Sequence, residues 1–196
     1  AGLGNPGDEY RDSRHNAGFL VVAGLARAHG IRLAAGSGDF VSGTGRVAGV
    51  RVALVLPQAY MNASGPPVAA ALSDAGAPFG DLIVVCDDVN LPLGRLRMRL
   101  SGSDGGHRGL RSIIGALGTD AFPRLRLGVG AAPDGTDTAD YVLDRFTEDE
   151  RDAVRSMVSR AMEAVEVSLA VGFERAMSVY NRWERPVDAR EPEEGA

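Results

Sequence analysis

A chain of 196 residues, 44% hydrophobic and 24% charged, suits one globular domain with a full core, or one domain with a short appendage. No run approaches the roughly 18 consecutive apolar residues of a membrane span, so no membrane partner is expected. The net charge of −5 argues against a broadly basic nucleic-acid binder, yet seven arginines (95, 97, 99, 108, 111, 124, 126) stand against only Asp104 and Asp120 in one region.

Residues 1–14 read as loop, because Gly2, Gly4, Pro6 and Gly7 punctuate too densely for helix or strand. The opening A-G-L-G-N-P-G carries neither the basic nor the apolar segment of a signal peptide. Residues 17–29 suit a buried helix closed by Gly30. Residues 39–47 and 51–56 read as a strand pair around Ala48-Gly49-Val50. Ser64 is placed to cap a helix over 66–75, with Pro66 and Pro67 in its first turn.

Residues 82–86 form an apolar run of core-strand length that ends on Asp87-Asp88. The single cysteine, Cys86, lies in that run. It excludes an internal disulfide and fits a reducing compartment, so a cytoplasmic protein is expected. Residues 95–100 alternate, which predicts Leu96, Met98 and Leu100 inward and Arg95, Arg97 and Arg99 together on the other face. A Gly/Ser loop follows over 101–108, then a short helix over 109–117 and a strand over 124–129.

Thr147 and Glu150 frame a capping box for a long helix to about Val171; Gly172 ends or bends it before a last helical turn to about Arg182. Residues 184–196, with two prolines and five acids, are expected to form a disordered acidic tail. The sum is one α/β domain over 1–183, with a twisted mixed, mostly parallel sheet flanked by helices. Nothing in the pattern signals an oligomer, and a monomer is expected.

Three histidines can be judged singly. His29 sits at a helix C-terminus, a favourable dipole position. His15 lies in a polar loop entering a helix, and His107 in D-G-G-H-R-G-L, another glycine-rich entry. Loop histidines of this kind have no packing reason to exist, which makes them candidates for chemistry. No H-x-x-x-H or C-x-x-C spacing occurs, so no metal is expected. G-x-S-x-G is absent too, and Cys86 reads as an inert core thiol. What remains is water activated by histidine. Asp87 or Asp88, at a strand end, could fix the imidazole's tautomer, or could simply cap a loop. Asn5 and Asn62 both donate and accept, so either could hold a carbonyl and a water, although asparagine is also an ordinary turn residue.

These segments resemble the bacterial-type peptidyl-tRNA hydrolases. The blocks that carry the resemblance are G-L-G-N-P-G-D-E-Y (2–10), R-H-N-A-G (14–18), P-Q-A-Y-M-N-A-S-G (57–65), V-V-C-D-D-V-N-L-P-L-G (84–94), G-G-H-R-G-L (105–110) and R-L-R-L-G-V-G (124–130). They stand in family order over about residues 1–183. The resemblance implies hydrolysis of the ester between a peptide and the terminal ribose of tRNA, with no cofactor and no metal. It implies His15 as general base and Asp87 as its orienting carboxylate. It implies that Asn5 and Asn62 position ester and water, and that Tyr10, Tyr60 and Met61 line the cleft. His107 matches a substrate contact, and Arg99 and Arg126 match residues that grip tRNA phosphate. The family usually has asparagine after G-G-H. Arg108 stands there instead, at a substrate-binding position; arginine donates but cannot accept, so any acceptor duty there is lost, and Arg108 could instead add a phosphate contact.

Two other readings compete with this one. A non-catalytic RNA-binding relative on the same fold would have no need of His15, Asp87, Asn5 and Asn62 together. A nucleotide-dependent oxidoreductase would use the G-x-G-x-x-G match at 2–7. There, Asp8 and Glu9 follow the third glycine, where a pyrophosphate wants helix N–H groups.

Overall fold

The computed structural model describes residues 1–182; the acidic tail expected over 184–196 lies outside the described residues. In chain order the elements are α1 (Ala17–Ala28), β1 (Ala34–Ala35), β2 (Phe40–Val47), β3 (Val50–Pro57), α2 (Gly65–Ala75), β4 (Val84–Asp88), β5 (Leu96–Arg99), α3 (Arg108–Leu117), β6 (Arg124–Gly128), α4 (Thr138–Leu143), α5 (Arg151–Val171) and α6 (Phe173–Tyr180).

The strands form two three-stranded sheets, ordered β1-β2-β3 and β4-β6-β5. The chain's first residues join them. Gly2 N–H donates to Val55 O at 3.0 Å, Leu3 N–H to Val85 O at 2.9 Å, and Val85 N–H to Ala1 O at 2.8 Å. Residues 1–3 therefore pair like a short strand between β3 and β4, where loop is predicted. The sheet is mixed, as expected, but its balance differs: β4 and β6 run parallel, while β1-β2, β2-β3 and β5-β6 are antiparallel. The β2–β3 link is a tight turn with positive φ at Ala48 and Gly49, far too short for the crossover that parallel strands need.

Alternation along β4 sends its side chains into two cores. Val85 packs with Val21 and Leu25 of α1 and with Met157 and Ala161 of α5. Val84 and Cys86 face the other way, against Val68 of α2 and Leu110 and Ile113 of α3. The sheet is thus covered on both faces, and β4 is central. Glycine sets the approach of α1 to the first residues. A Cβ on Gly18 would lie 2.3 Å from Val85 O and 2.5 Å from Leu3 N, and one on Gly2 would lie 2.3 Å from Gly18 O. The glycines of the opening segment thus serve helix–strand packing.

Three local expectations change. Ser64 already has helical φ/ψ, and its hydroxyl donates to Met61 O at 2.9 Å instead of capping α2. Leu100 lies beyond the end of β5 and is 40% exposed, while Leu96 and Met98 are buried as predicted. Helix α4 is absent from the sequence reading. The capping box does form: Thr147 N–H donates to Glu150 Oε2 at 2.8 Å, and the turn runs on into α5.

Candidate active site

The C-terminal end of β4 opens into a cleft of about 630 Å³. One wall comes from the first loop (Asn5, Tyr10, His15), another from Tyr60, Met61 and Asn62, a third from the α3 entry (Gly105 to Arg108), and the last from α4. Strand ends of an α/β sheet are where side chains from separate loops can converge.

At the base lies Asp87, only 2% exposed. Its Oδ1 meets His15 Nδ1 at 2.8 Å and His107 Nε2 at 2.9 Å. The two rings stand 5.1 Å apart, tilted at 49°. Burial by itself would raise the Asp87 pKa. The two imidazoles, His107 first and then His15, outweigh it and hold the carboxyl below the usual carboxylate range. Asp87 is ionised whenever the protein is folded near neutral pH.

The two histidines are not equivalent. His107 is the N-cap residue of α3, and its Nδ1 accepts the backbone N–H groups of Gly109 and Leu110 at 3.1 and 3.2 Å. An acceptor nitrogen carries no proton, so the ring proton sits on Nε2 and is donated to Asp87. His107 has no lone pair left for a water. His15 spends only Nδ1 on Asp87 and keeps 12% of its side chain exposed at the cleft, so its Nε2 is the ring nitrogen left for a ligand or water.

His15, Asp87 and His107 also form a cluster with metal-ligand potential among the described residues. Sequence spacing does not foresee it, since a 3-10 turn, strand β4 and the entry to α3 supply one residue each. The donor set fits an ion poorly. A metal on His107 Nε2 would need its proton removed while Nδ1 still accepts two N–H groups, leaving an imidazolate. Ligating histidines normally donate their second nitrogen instead.

Asn5 is buried and spends its Oδ1 on Met61 N–H at 2.7 Å, so Nδ2 is the atom that can address a ligand. Asn16 locks the same loop: its Oδ1 accepts Asn5 N–H at 2.7 Å and its Nδ2 donates to Asn5 O at 3.0 Å. Asn62 and Arg108 are exposed at the rim, and Tyr60 is 62% exposed. Arg126 lines the cleft but is already ion-paired, Nε to Asp88 Oδ2 at 3.0 Å. The neighbouring aspartates of β4 therefore divide their work between the histidines and Arg126. Arg99 is exposed on β5 and does not line the cleft. Arg124 leaves the basic region altogether. It is buried, and its guanidinium donates to the carbonyls of Asp120, Phe122 and Gly102. The sequence reading misses the α4 wall (Asp137, Thr138, Val142, Leu143) and Asn90. The only signal for the helix is Asp137, whose side chain accepts Ala139 N–H at 2.7 Å.

No serine or cysteine lines the described cleft, and burial pushes the Cys86 thiol further up, away from reactivity. An α/β domain that offers a carboxylate-held imidazole to an open cleft has the groups needed to activate water. The sequence profile described as Peptidyl-tRNA hydrolase matches residues 1–189. A peptidyl-tRNA hydrolase of Carboxydothermus hydrogenoformans is 49% identical over 182 residues, covering 93% of this chain and 97% of that protein. One from Chloroflexus aggregans is 46% identical over 181 residues, covering 92% and 96%. The crystal structure of peptidyl-tRNA hydrolase from Acinetobacter baumannii superposes with a TM-score of 0.86 at 34% identity over 93% of each chain. The chain belongs to the peptidyl-tRNA hydrolase family.

Proposed function

We infer that the cleft hydrolyses the ester joining a peptide's C-terminal carbonyl to the terminal ribose of tRNA, with His15 as the base. Family membership supports the reaction, and one contact carries the roles: His15 Nδ1 to Asp87 Oδ1 at 2.8 Å beside an open cleft. Asp87 accepts the Nδ1 proton and fixes the tautomer. Nε2 then takes a proton from water as it attacks the ester carbonyl, Asp87 stabilises the imidazolium that forms, and the imidazolium returns the proton to the ribose oxygen as the ester C–O bond breaks. Asn5 Nδ2 and the Asn62 amide hold the ester and the water. Tyr10, Tyr60 and Met61 line the peptidyl-adenosine end, and His107 and Arg108 border it. Arg99 and Arg126 are read as phosphate contacts; Arg97 lies opposite Arg126 in the β5–β6 ladder and extends the same basic edge.

The chain is read as acting as a monomer and without metal. The test is incubation with N-blocked aminoacyl-tRNA in EDTA. Release of free tRNA is expected at an undiminished rate. No release with or without chelator would overturn the reaction, and release only without chelator would overturn the metal-free mechanism.

A further inference from the structure

We infer that His107 is a positioning residue: anchored by the first amides of α3, it shares the charge of Asp87 and so keeps His15 available as a base. The inference rests on the reading of His15 as the general base.

Asp87 is buried, ionised, and in contact with His15. A buried carboxylate with a single imidazole partner favours the imidazolium strongly, because little solvent is present to weaken the attraction. A neutral second donor on the same oxygen offsets part of that pull without adding charge of its own.

His107 has the geometry for this. Its Nε2 lies 2.9 Å from the same Oδ1 that His15 uses. Its side chain is 5% exposed, so water does not compete for the contact. Its tautomer is not free to change, because Gly109 N–H and Leu110 N–H both point at Nδ1. Protonating Nδ1 would set three donors against one another at a helix N-terminus, where the dipole also disfavours positive charge. The glycine at 109 makes this closeness possible: a Cβ there would lie 3.0 Å from His107 Cε1 and 2.5 Å from Met61 Sδ. The α3 amides thus reach His15 through two intervening side chains, His107 and then Asp87.

Two substitutions separate the ring's two nitrogens. His107→Asn keeps an acceptor where Nδ1 lies, and asparagine is a favoured N-cap, so the helix entry survives. It loses the donor to Asp87. His107→Gln places an amide N–H where Nε2 lies and gives up the cap. In the Asn variant the acid limb of the kcat/KM profile is expected to move to higher pH by about half a unit or more, roughly a threefold loss on that limb that recovers on the alkaline plateau. In the Gln variant the limb is expected to stay in place while Tm falls. A change confined to KM, with both limbs unmoved, would make His107 a substrate contact only and overturn the inference. Nitrogen-15 NMR of the unsubstituted protein gives a readout that needs no activity: His107 must show a protonated Nε2 and a bare Nδ1, and a proton on Nδ1 refutes the lock. If His15→Ala kept full kcat, the reading of the base would fail while the NMR result still stood.

Discussion

Arg14 closes a two-pronged ion pair with Glu150, at 2.9 and 2.8 Å across 136 positions of sequence. The same guanidinium donates to Val129 O at 3.2 Å and lies over the rings of Tyr141 and Phe146, 4.4 and 4.9 Å from their centroids. Arg14 begins the 3-10 turn that carries His15, Glu150 closes the capping box ahead of α5, and Tyr141 belongs to the α4 wall. One side chain therefore binds the turn that carries His15 to two helices. Arg14→Ala should destabilise the protein by about 2–3 kcal/mol, because a mostly buried pair is broken and one carboxylate left without its partner. Urea denaturation measures it. A loss under about 1 kcal/mol would mean that solvent or a neighbouring arginine takes over the role.

The same pair sets a pH dependence. Burial alone would raise the Glu150 pKa, but hydrogen bonds from Arg14 and Thr147 win and hold it below the ordinary glutamate value. A carboxylate lowered by folding stabilises above its unfolded pKa, and that stability drains as pH falls through the folded value. Glu150→Gln should therefore be the less stable protein near pH 7. The gap to the parent should narrow as pH falls below about 4.5, where the parent's advantage is titrated away. Unfolding curves at a series of pH values give the answer; a gap independent of pH would show that the carboxylate's charge contributes nothing.

Local pattern made much of this molecule legible. The apolar run into Asp87-Asp88 is β4, the alternation over Leu96 and Met98 is the inner face of β5, and the capping box at Thr147 opens the turn into α5. What the sequence hides depends on distant partners. Residues 1–3 pair as a strand only because Val55 and Val85 accept and donate on either side of them. Arg124 looks like one more cation of a basic region until four backbone carbonyls close around it. His107 reads as a loop histidine because its capping bonds fall on backbone amides, and no residue-type rule favours histidine there. Its contact with Asp87 spans 20 positions and needs the whole α3 entry to fold first. Six-residue α4 is too short for its periodicity to show.

His15 and Asp87 should behave as one unit. His15→Ala is expected to lower kcat by about 10²–10⁴ with little change in KM. Asp87→Asn should lower kcat too, since an amide NH₂ can face Nδ1 and favour the wrong tautomer. The double variant should be hardly worse than His15→Ala, because an orienting carboxylate has nothing to do once the base is gone. Multiplying losses in the double variant would separate the two residues and remove the orienting role from Asp87.

Arg99 and Arg126 are both read as phosphate contacts, yet their surroundings differ, and the difference can be measured. Arg99 is exposed at the end of β5, outside the cleft, and its removal leaves His15 and Asp87 untouched. Arg99→Ala should raise KM for full-length peptidyl-tRNA and reduce the slope of log KM against log salt by roughly 0.7–0.9, the loss of one phosphate contact. It should spare a minimal peptidyl-adenosine substrate, which has no distant phosphates. Arg126→Ala also takes the partner from Asp88, which adjoins Asp87 on β4 and has a 3.0 Å bond to Asn90 N–H at the cleft edge. Freed of Arg126, that carboxylate places an uncompensated charge beside the reacting groups, so both substrates should slow. If Arg99→Ala damaged the minimal substrate as much as the full one, its role would lie in the cleft's structure and the phosphate assignment would fall.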